Sequence, residues 1–196
     1  DGIVDAGETV SNTDQISSAD IGKLKFRPAA NANGAGYASF TFTVNDGGLY
    51  SSSANTITID VTAVNDAPTA ADNTVITNED TDYTFAAADF GYSDTEGSAL
   101  DHIRIESIPL AGILYLDANE DGIVDVGEEV SNTDQISSAD IGKLKFRPAA
   151  NANGAGYTSF TFTANDGGLY SSPANTITID VTAVNDVPTA SDNTIT

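Results

Sequence analysis

Several oxygen-bearing side chains are spaced across one short acidic segment in a pattern that suits a hard divalent cation. Residues 117–128 form a twelve-residue segment with Gly122 at position 6. Its positions 1, 3, 5, 9 and 12 are Asp117, Asn119, Asp121, Asp125 and Glu128. Calcium takes roughly six to eight oxygen ligands at about 2.3–2.6 Å, and carboxylates spaced along a tight loop supply them. The backbone carbonyl of Ile123 is expected to add one more. The segment therefore predicts a calcium site.

The same segment resembles the calcium loop of EF-hand proteins, but not the pair of helices around it. Ile113–Leu116 leads in with the composition of a strand, and no amphipathic helix is evident on either side. The alternative is an acidic hairpin loop without metal, because Asp, Asn and Gly also favour turns. An earlier copy keeps only Asp1, Asp5 and Glu8 of this loop, so its site is expected to be crippled.

A second set of acidic and amide residues is spread over several predicted turns. Residues 165–168 follow one predicted strand, and Asn185 and Asp186 stand before Pro188 after the next. Two earlier acidic segments lie at 78–81 and 93–97. In their order along the chain, these pieces resemble the elements with which cadherin repeats bind calcium between domains. The most similar proteins are the cadherin-like tandem repeats of giant bacterial calcium-dependent adhesins exported by the type I route.

The resemblance implies two groups of calcium ligands, one at each end of a complete domain. At the upper junction it implies Asn65, Asp66, Asp94, Glu96 and Asp166. At the lower junction it implies Glu79, Asn185 and Asp186, with Asp80 beside them. The alternative is that these Asn-Asp and Asp-Gly pairs merely form turns.

The sequence does not favour catalysis. His102 is the only histidine, and Ile103 and Ile105 alternate inward beside it, so it is expected to face solvent rather than act as a ligand or base. The absence of cysteine excludes a thiol nucleophile. Paired carboxylates can act as in a glycosidase, but here they cluster in predicted turns rather than in a deep pocket. We therefore predict that the protein is not an enzyme.

The charge of the chain is strongly unbalanced. The 196 residues include 29 acidic and 7 basic ones, which gives a formal net charge of −22. Such a surface repels itself and suits divalent cations or basic partners, whereas nucleic acid and anionic membranes are poor partners. No apolar run approaches the roughly 18 residues that a membrane span needs, so no membrane insertion is expected in this segment.

A long internal repeat organises the chain. Residues 1–76 align with residues 121–196 at a shift of 120 without a gap, and nearly all aligned residues are identical. This period suits a self-sufficient sandwich domain of about 100 residues better than a solenoid unit. With linkers at 64–68 and 184–188, the predicted segments are the C-terminal part of a truncated repeat at 1–66, a complete repeat at 67–186 and the start of a third at 187–196. The chain is thus interpreted as an internal fragment.

The local pattern within each repeat is that of β-strands. Ala38–Val44 and Asn55–Val64 alternate apolar residues with Thr or Asp. Similar short runs occur at Lys143–Arg147, His102–Glu106 and Gly112–Leu116. Only Ser137–Ile141 and Ala86–Phe90 resemble single helical turns. Seven or so strands indicate a sandwich, and the resemblance implies an all-β fold of tandem Greek-key β-sandwich domains, cadherin-like or immunoglobulin-like.

The leading functional hypothesis is a calcium-binding structural and adhesive repeat of a large secreted or cell-surface bacterial adhesin, of the kind found in biofilms. Calcium would rigidify neighbouring repeats of the same chain, which would extend a binding region toward surface glycans or proteins. The alternative is a carbohydrate-binding module. Its stacking platforms would be Tyr37, Tyr50, Tyr157 and Tyr170. The absence of tryptophan weakens this alternative, because flat glycan platforms favour large exposed rings.

Overall fold

The computed structural model describes residues 9–190, and the chain separates into two compact units, 1–63 and 64–196. This division falls slightly before the predicted boundary after Asp66, and the bounds of the repeats stay a prediction. The expectations for Asp1, Asp5 and Glu8, and for residues 191–196, lie outside the described residues.

The first unit contains a single two-stranded sheet. Strand β1 (Gly34–Phe42) pairs antiparallel with β2 (Asn55–Val61), after a 3₁₀ turn at Ile21–Lys23. Both strands were predicted from their alternating pattern, and both are confirmed. Within the described part of this unit no large apolar side chain is buried, and Phe40 is 47% exposed. The sheet therefore presents an apolar face without a core.

The second unit contains eight further strands. They are β3 (Asn73–Asn78), β4 (Tyr83–Thr84), β5 (His102–Ser107), β6 (Ile113–Leu116), β7 (Gln135–Ser137), β8 (Leu144–Arg147), β9 (Gly154–Asn165) and β10 (Asn175–Thr182). The predicted helical turns are both 3₁₀. One is Ala87–Phe90, as expected, and the other is Ile141–Lys143, displaced toward the C-terminus of its predicted position. In the turn before it, the Ser137 hydroxyl accepts a hydrogen bond from the Asp140 amide at 3.2 Å.

These eight strands form two facing sheets. The larger has the order β3-β10-β9-β5-β7 and the smaller β4-β8-β6. β3 runs parallel to β10, and the other pairs are antiparallel. Among these strands, every connection except β9–β10 passes from one sheet to the other. The fold is therefore an all-β sandwich with Greek-key connections, as predicted.

The inner faces of both sheets supply one apolar core. Phe160 packs edge to face against Phe85, with ring centroids 5.5 Å apart, and Phe162 packs against Phe90 at 4.9 Å. All four rings are buried, and such rings each contribute on the order of 1.5–3 kcal/mol by burial. The core holds the strand ends in fixed positions, and the acidic turns project from those ends.

Candidate metal centres

The acidic loop, residues 117–128, is a hairpin connection at the free edge of β6. Its two ends are joined by a hydrogen bond from the Leu116 amide to the Glu128 carbonyl at 2.8 Å, and Val130 donates to Leu114 at 2.9 Å. The Asp117 amide also donates to the carbonyl of Lys143 at 3.0 Å. The predicted ion ligands are thus anchored to the smaller sheet on two sides.

The side chains of the acidic loop converge on one another. The Asn119 amide nitrogen donates to Asp121 at 3.1 Å and to Asp125 at 3.0 Å. The two carboxylate oxygens of Glu128 accept from the Ala118 amide at 3.0 Å and the Asp125 amide at 3.1 Å. The NH2 group of Asn119 therefore lies between two carboxylates. A cation bound there would instead contact the side-chain oxygen of Asn119.

Asp117 is the most unusual residue of the loop. Its side chain is fully buried, and its Oδ2 accepts from the Lys145 ammonium at 2.5 Å and from the Gly122 amide at 3.1 Å. The ammonium of Lys145, more than any other group, holds the pKa of Asp117 below its usual range. Its Oδ1 is buried and has no hydrogen-bond partner among the described residues. Buried polar atoms are nearly always paired, so an unpartnered buried oxygen is an exception that calls for an explanation.

A buried polar network ties the acidic loop to the outer face of the smaller sheet. Arg147 donates to the Gly122 carbonyl at 2.7 Å and to both oxygens of Asp82 at 2.7 and 2.9 Å. The Tyr115 hydroxyl donates to Asp82 at 2.7 Å, and its ring is fully buried. Burial, followed by the Asp82 carboxylate, raises the pKa of Tyr115 well above its usual value. The loop is therefore part of the packed domain rather than a loose appendage.

The loop has the residues for a cation but not a preformed cage. Within residues 9–190 no three acidic, histidine or cysteine side chains are already grouped as a metal site. Ile123, the expected carbonyl ligand, lies at the exposed tip, and its amide donates to Asp121 at 2.8 Å. The donor set fits calcium, and ion binding requires the Asn119 amide to turn its oxygen inward.

The residues of the upper predicted site all belong to the second unit, and we call them the linker site. Asn65 donates to the Asp166 carboxylate at 2.8 Å, and the Asp66 amide donates to Glu96 at 3.1 Å. Asp94 accepts from the Ser98 amide at 2.7 Å through Oδ1. Its Oδ2 is buried without a partner among the described residues, as is the Oδ1 of Asp117.

Two of the linker-site carboxylates act on the same neighbouring group. Burial raises the pKa of Tyr92, and the negative charges of Asp94 and Asp166 raise it further. Asp166 is oriented by its own turn, since Oδ1 accepts from the Gly168 and Leu169 amides, each at 2.7 Å. The Leu169 amide, followed by Asn65, lowers the pKa of Asp166.

The lower predicted group is only partly brought together. Glu79 is 5% exposed, and its oxygens accept from the Val184 amide at 2.6 Å and from Asn153 at 2.8 Å. Asn185 and Asp186 follow Val184 directly but are exposed, and no hydrogen bond joins either to Glu79 among the described residues. Glu79 therefore anchors the start of this linker through the backbone.

A polar cluster on the outer face of β5 was not foreseen in the sequence. His102 lies on this face as expected, but it hydrogen-bonds Asp101 at 2.7 Å and the Tyr170 hydroxyl at 2.8 Å and is only 15% exposed. The Arg104 guanidinium lies 4.2 Å from the centre of the Tyr170 ring. The Tyr157 hydroxyl accepts from the Ala149 amide at 3.3 Å. Because these two tyrosines serve contacts of the domain itself, we do not propose a glycan platform for them.

The comparisons with known proteins define the family. The chain matches the model of the bacterial Ig domain over residues 65–182, which is more than half of its length. No curated protein and no solved structure matches the chain. Domains of this kind commonly occur in extracellular and surface proteins and are typically structural. Within residues 9–190, no helix is long and apolar enough to cross a membrane.

The match agrees with the sandwich topology and with the predicted immunoglobulin-like repeat. The narrower resemblance to cadherin-like calcium adhesins stays a prediction. On its fold and its family match, the chain belongs to the bacterial Ig domain family.

Proposed function

We propose that this chain is a calcium-binding structural and adhesive repeat module of a secreted or cell-surface bacterial adhesin. The observation that carries the proposal is the fully buried carboxylate of Asp117, whose Oδ1 is unpartnered inside a loop of further oxygen side chains. A buried anionic oxygen without a donor is unfavourable, and a hard cation is the partner that the loop composition suits.

The acidic loop would bind one calcium ion. Side-chain oxygens would come from Asp117, Asn119, Asp121, Asp125 and Glu128, and a backbone carbonyl from Ile123. The bound ion would supply positive charge at the centre of a carboxylate cluster. The chain itself positions the ligands, since Arg147 holds Gly122 and the strand pairing of Leu116 with Glu128 closes the loop.

The linker site would bind a second ion. Its ligands would be drawn from Asn65, Asp66, Asp94, Glu96 and Asp166. The Oδ2 of Asp94 supports this assignment independently of the resemblance, because it is buried without a hydrogen-bond partner among the described residues. At the other end of the domain, Glu79, Asn185 and Asp186 would serve the corresponding junction with a neighbouring repeat.

The role that follows is mechanical rather than catalytic. An ion bound only by the native state stabilises that state by RT ln(1 + [L]/Kd), where [L] is the concentration of free calcium. Extracellular modules bind calcium with dissociation constants on the order of 10⁻⁴–10⁻³ M, so the repeat would be loaded outside the cell. It would stay unloaded in a calcium-poor cytoplasm before export.

Isothermal titration calorimetry of the full chain with calcium tests the proposal. We expect saturable binding, and we expect Glu128→Ala and Asp121→Ala each to remove one ion without unfolding the domain. Glu129→Ala is the matched control, because it removes the same charge from the next, exposed position. Equal stoichiometry in wild type, Glu128→Ala and Asp121→Ala would contradict the assignment of the loop.

A further inference from the structure

The basic residues of the second unit are concentrated beside the acidic loop. Lys145 and Arg147 occupy alternate positions on β8 and therefore project from its outer face, and Lys143 ends the 3₁₀ turn just before that strand. Leu144 and Phe146 between them point into the core and are fully buried. Arg104 is the only other basic residue in the sequence from position 64 onward. Positive charge therefore accompanies the loop in the folded domain.

Lys145 differs from its neighbour Lys143 in what it contacts. The Lys145 ammonium lies 2.5 Å from Oδ2 of Asp117, the first predicted ion ligand. The Lys143 ammonium lies 3.8 Å from Glu120 and 3.6 Å from Asp140, neither of which is a predicted ligand. Of these two cations, only Lys145 contacts the carboxylate of a predicted ligand.

The ammonium and a calcium ion would be held by the same carboxylate. The Lys145 nitrogen lies 2.5 Å from Oδ2 of Asp117, so an ion bound through Oδ1 of that carboxylate would meet a positive charge a few ångströms away. A lysine ammonium is a compact point charge on a flexible stem, so it can leave an oxygen without moving the backbone. The Lys145 side chain is 22% exposed, which leaves it a route to solvent.

We propose that Lys145 is an internal cation that occupies the first ligand of the acidic loop when calcium is absent and competes with calcium for that ligand. The inference rests on the proposed calcium site and adds the way in which the site is regulated. Lys145 keeps the loop closed while the ion is missing. It also weakens calcium binding, so that the loop is loaded only at high calcium concentration.

The test follows the Gly122 amide by nitrogen-15 NMR while calcium is added to the full chain. This amide donates to Oδ2 of Asp117 at 3.1 Å and therefore reports on the carboxylate that both cations contact. We expect the midpoint to fall at least about tenfold in Lys145→Gln, because calcium then no longer has to displace a positive charge from the Asp117 carboxylate. In Lys143→Gln, which loses the same charge from the residue just before the strand, we expect a change of about twofold or less, because the Lys143 ammonium contacts no predicted ligand.

The outcomes separate this inference from the calcium site itself. If Gly122 responds in wild type and in Lys145→Gln with the same midpoint, the competition is overturned and the calcium site stands. If Gly122 responds in neither protein, both are overturned.

A second measurement on the wild type covers the case in which Lys145→Gln does not fold. The side-chain carbon and nitrogen resonances of Lys145 should move with the same calcium midpoint as Gly122, because the ammonium is displaced. Lysine resonances that stay unchanged while Gly122 moves would overturn the proposal.

Discussion

Asp82 binds two side chains, and one of them holds the acidic loop against the sheet. Its carboxylate accepts from Arg147 at 2.7 and 2.9 Å and from the Tyr115 hydroxyl at 2.7 Å, while Arg147 reaches on to Gly122. Burial alone would raise the pKa of Asp82, but the Arg147 and Tyr115 contacts outweigh it and hold the pKa below its usual value. The folded state therefore depends on an ionised Asp82.

The acid stability of the fold should reflect this carboxyl. A group whose folded pKa is lowered contributes stability that is present above its ordinary pKa, about 3.9 for Asp, and is lost as pH falls through the folded value. We expect Asp82→Asn to lower the free energy of unfolding by about 1–3 kcal/mol at neutral pH. The difference from wild type should shrink below about pH 4.

Urea denaturation of both proteins between neutral and strongly acidic pH measures this effect. Glu129→Gln, at an exposed position, is the control and should leave the pH profile unchanged. A constant difference between Asp82→Asn and wild type at every pH would contradict the role given to Asp82.

Gly112 makes the turn into β6 possible for a steric reason. Its φ is +75°, and a Cβ at this position would overlap the Phe146 ring and the Arg147 carbonyl. Both obstacles belong to β8, so neither can move without disturbing the core. We expect Gly112→Ala to destabilise the domain by more than about 3 kcal/mol, in the range of severe backbone and packing conflicts.

Gly127 provides the comparison for Gly112. It also has a positive φ, +94°, but a Cβ there would meet no atom within 4 Å. Gly127→Ala should therefore cost only about 1–2 kcal/mol, the strain of a left-handed alanine. Thermal melting of the two variants tests the argument, and equal losses would show that the contact with β8 is unimportant.

At the scale of elements, the repeat offers a matched pair of positions. Phe160 on β9 is fully buried, whereas Phe40, at the equivalent position of β1, is 47% exposed. In the second unit β4, β6 and β8 cover this face, whereas among residues 9–63 no further strand does, and the counterpart of β8 supplies a ring contact of Phe26 with Tyr37 at 6.0 Å. The same phenylalanine, in nearly the same sequence, is therefore buried in the second unit and exposed in the first.

Truncation of these two rings should have different costs. Phe160→Ala is expected to destabilise the second unit by about 3–5 kcal/mol, because it leaves a cavity in a close-packed core. Phe40→Ala should change stability by less than about 1 kcal/mol, as for exposed residues in general. Chemical denaturation measures both, and a large effect of Phe40→Ala would mean that its face is covered in solution.

Elements with a strong local signal could be predicted from the sequence, and those that depend on partners could not. β1 and β2 have regular alternation that is visible without neighbours. β4 has two residues and β7 has three, and neither was predicted, because strands so short exist only through pairing with β8 and β5. β3 was also missed, since its parallel pairing with β10 involves residues about a hundred positions away.

The same distinction applies to the candidate site. The spacing of the acidic loop is local, so its residues could be named in advance. Lys145 and Arg147 could not, because they reach the loop only when β8 pairs with β6. For the linker site, no local pattern predicted the contacts of Asn65 with Asp166 and of Asp66 with Glu96. They were expected only from the resemblance to cadherin repeats.

At the scale of the whole molecule, calcium should restrict the segment that enters the second unit. Among the described residues, one hydrogen bond to Asp166 holds Asn65 and one to Glu96 holds Asp66. We expect added calcium to slow hydrogen exchange of the Asp66 amide at least about tenfold, because local opening then requires loss of the ion. In Asp166→Ala this protection should be absent while exchange in the core strands stays slow. Protection of Asp66 that does not depend on calcium would argue against an ion at the linker site.

The formal net charge of −22 is a property of the molecule as a whole, and it opposes compaction through self-repulsion. Only 7 basic residues oppose 29 acidic ones, so most carboxylates have no internal counter-ion. Two of them, Asp94 and Asp117, also carry a buried oxygen without a partner among the described residues. We propose that calcium binds these carboxylates and makes the native fold more stable.

Thermal unfolding of the full chain, in calcium and in chelator at matched ionic strength, tests that claim most directly. With dissociation constants on the order of 10⁻⁴–10⁻³ M, about 10 mM calcium should add roughly 1–3 kcal/mol per ion. This should raise the melting temperature by several degrees, and Glu128→Ala should reduce the rise. Sodium chloride at matched ionic strength should not reproduce it. Coincident melting curves in calcium and in chelator would show that calcium does not stabilise the native fold.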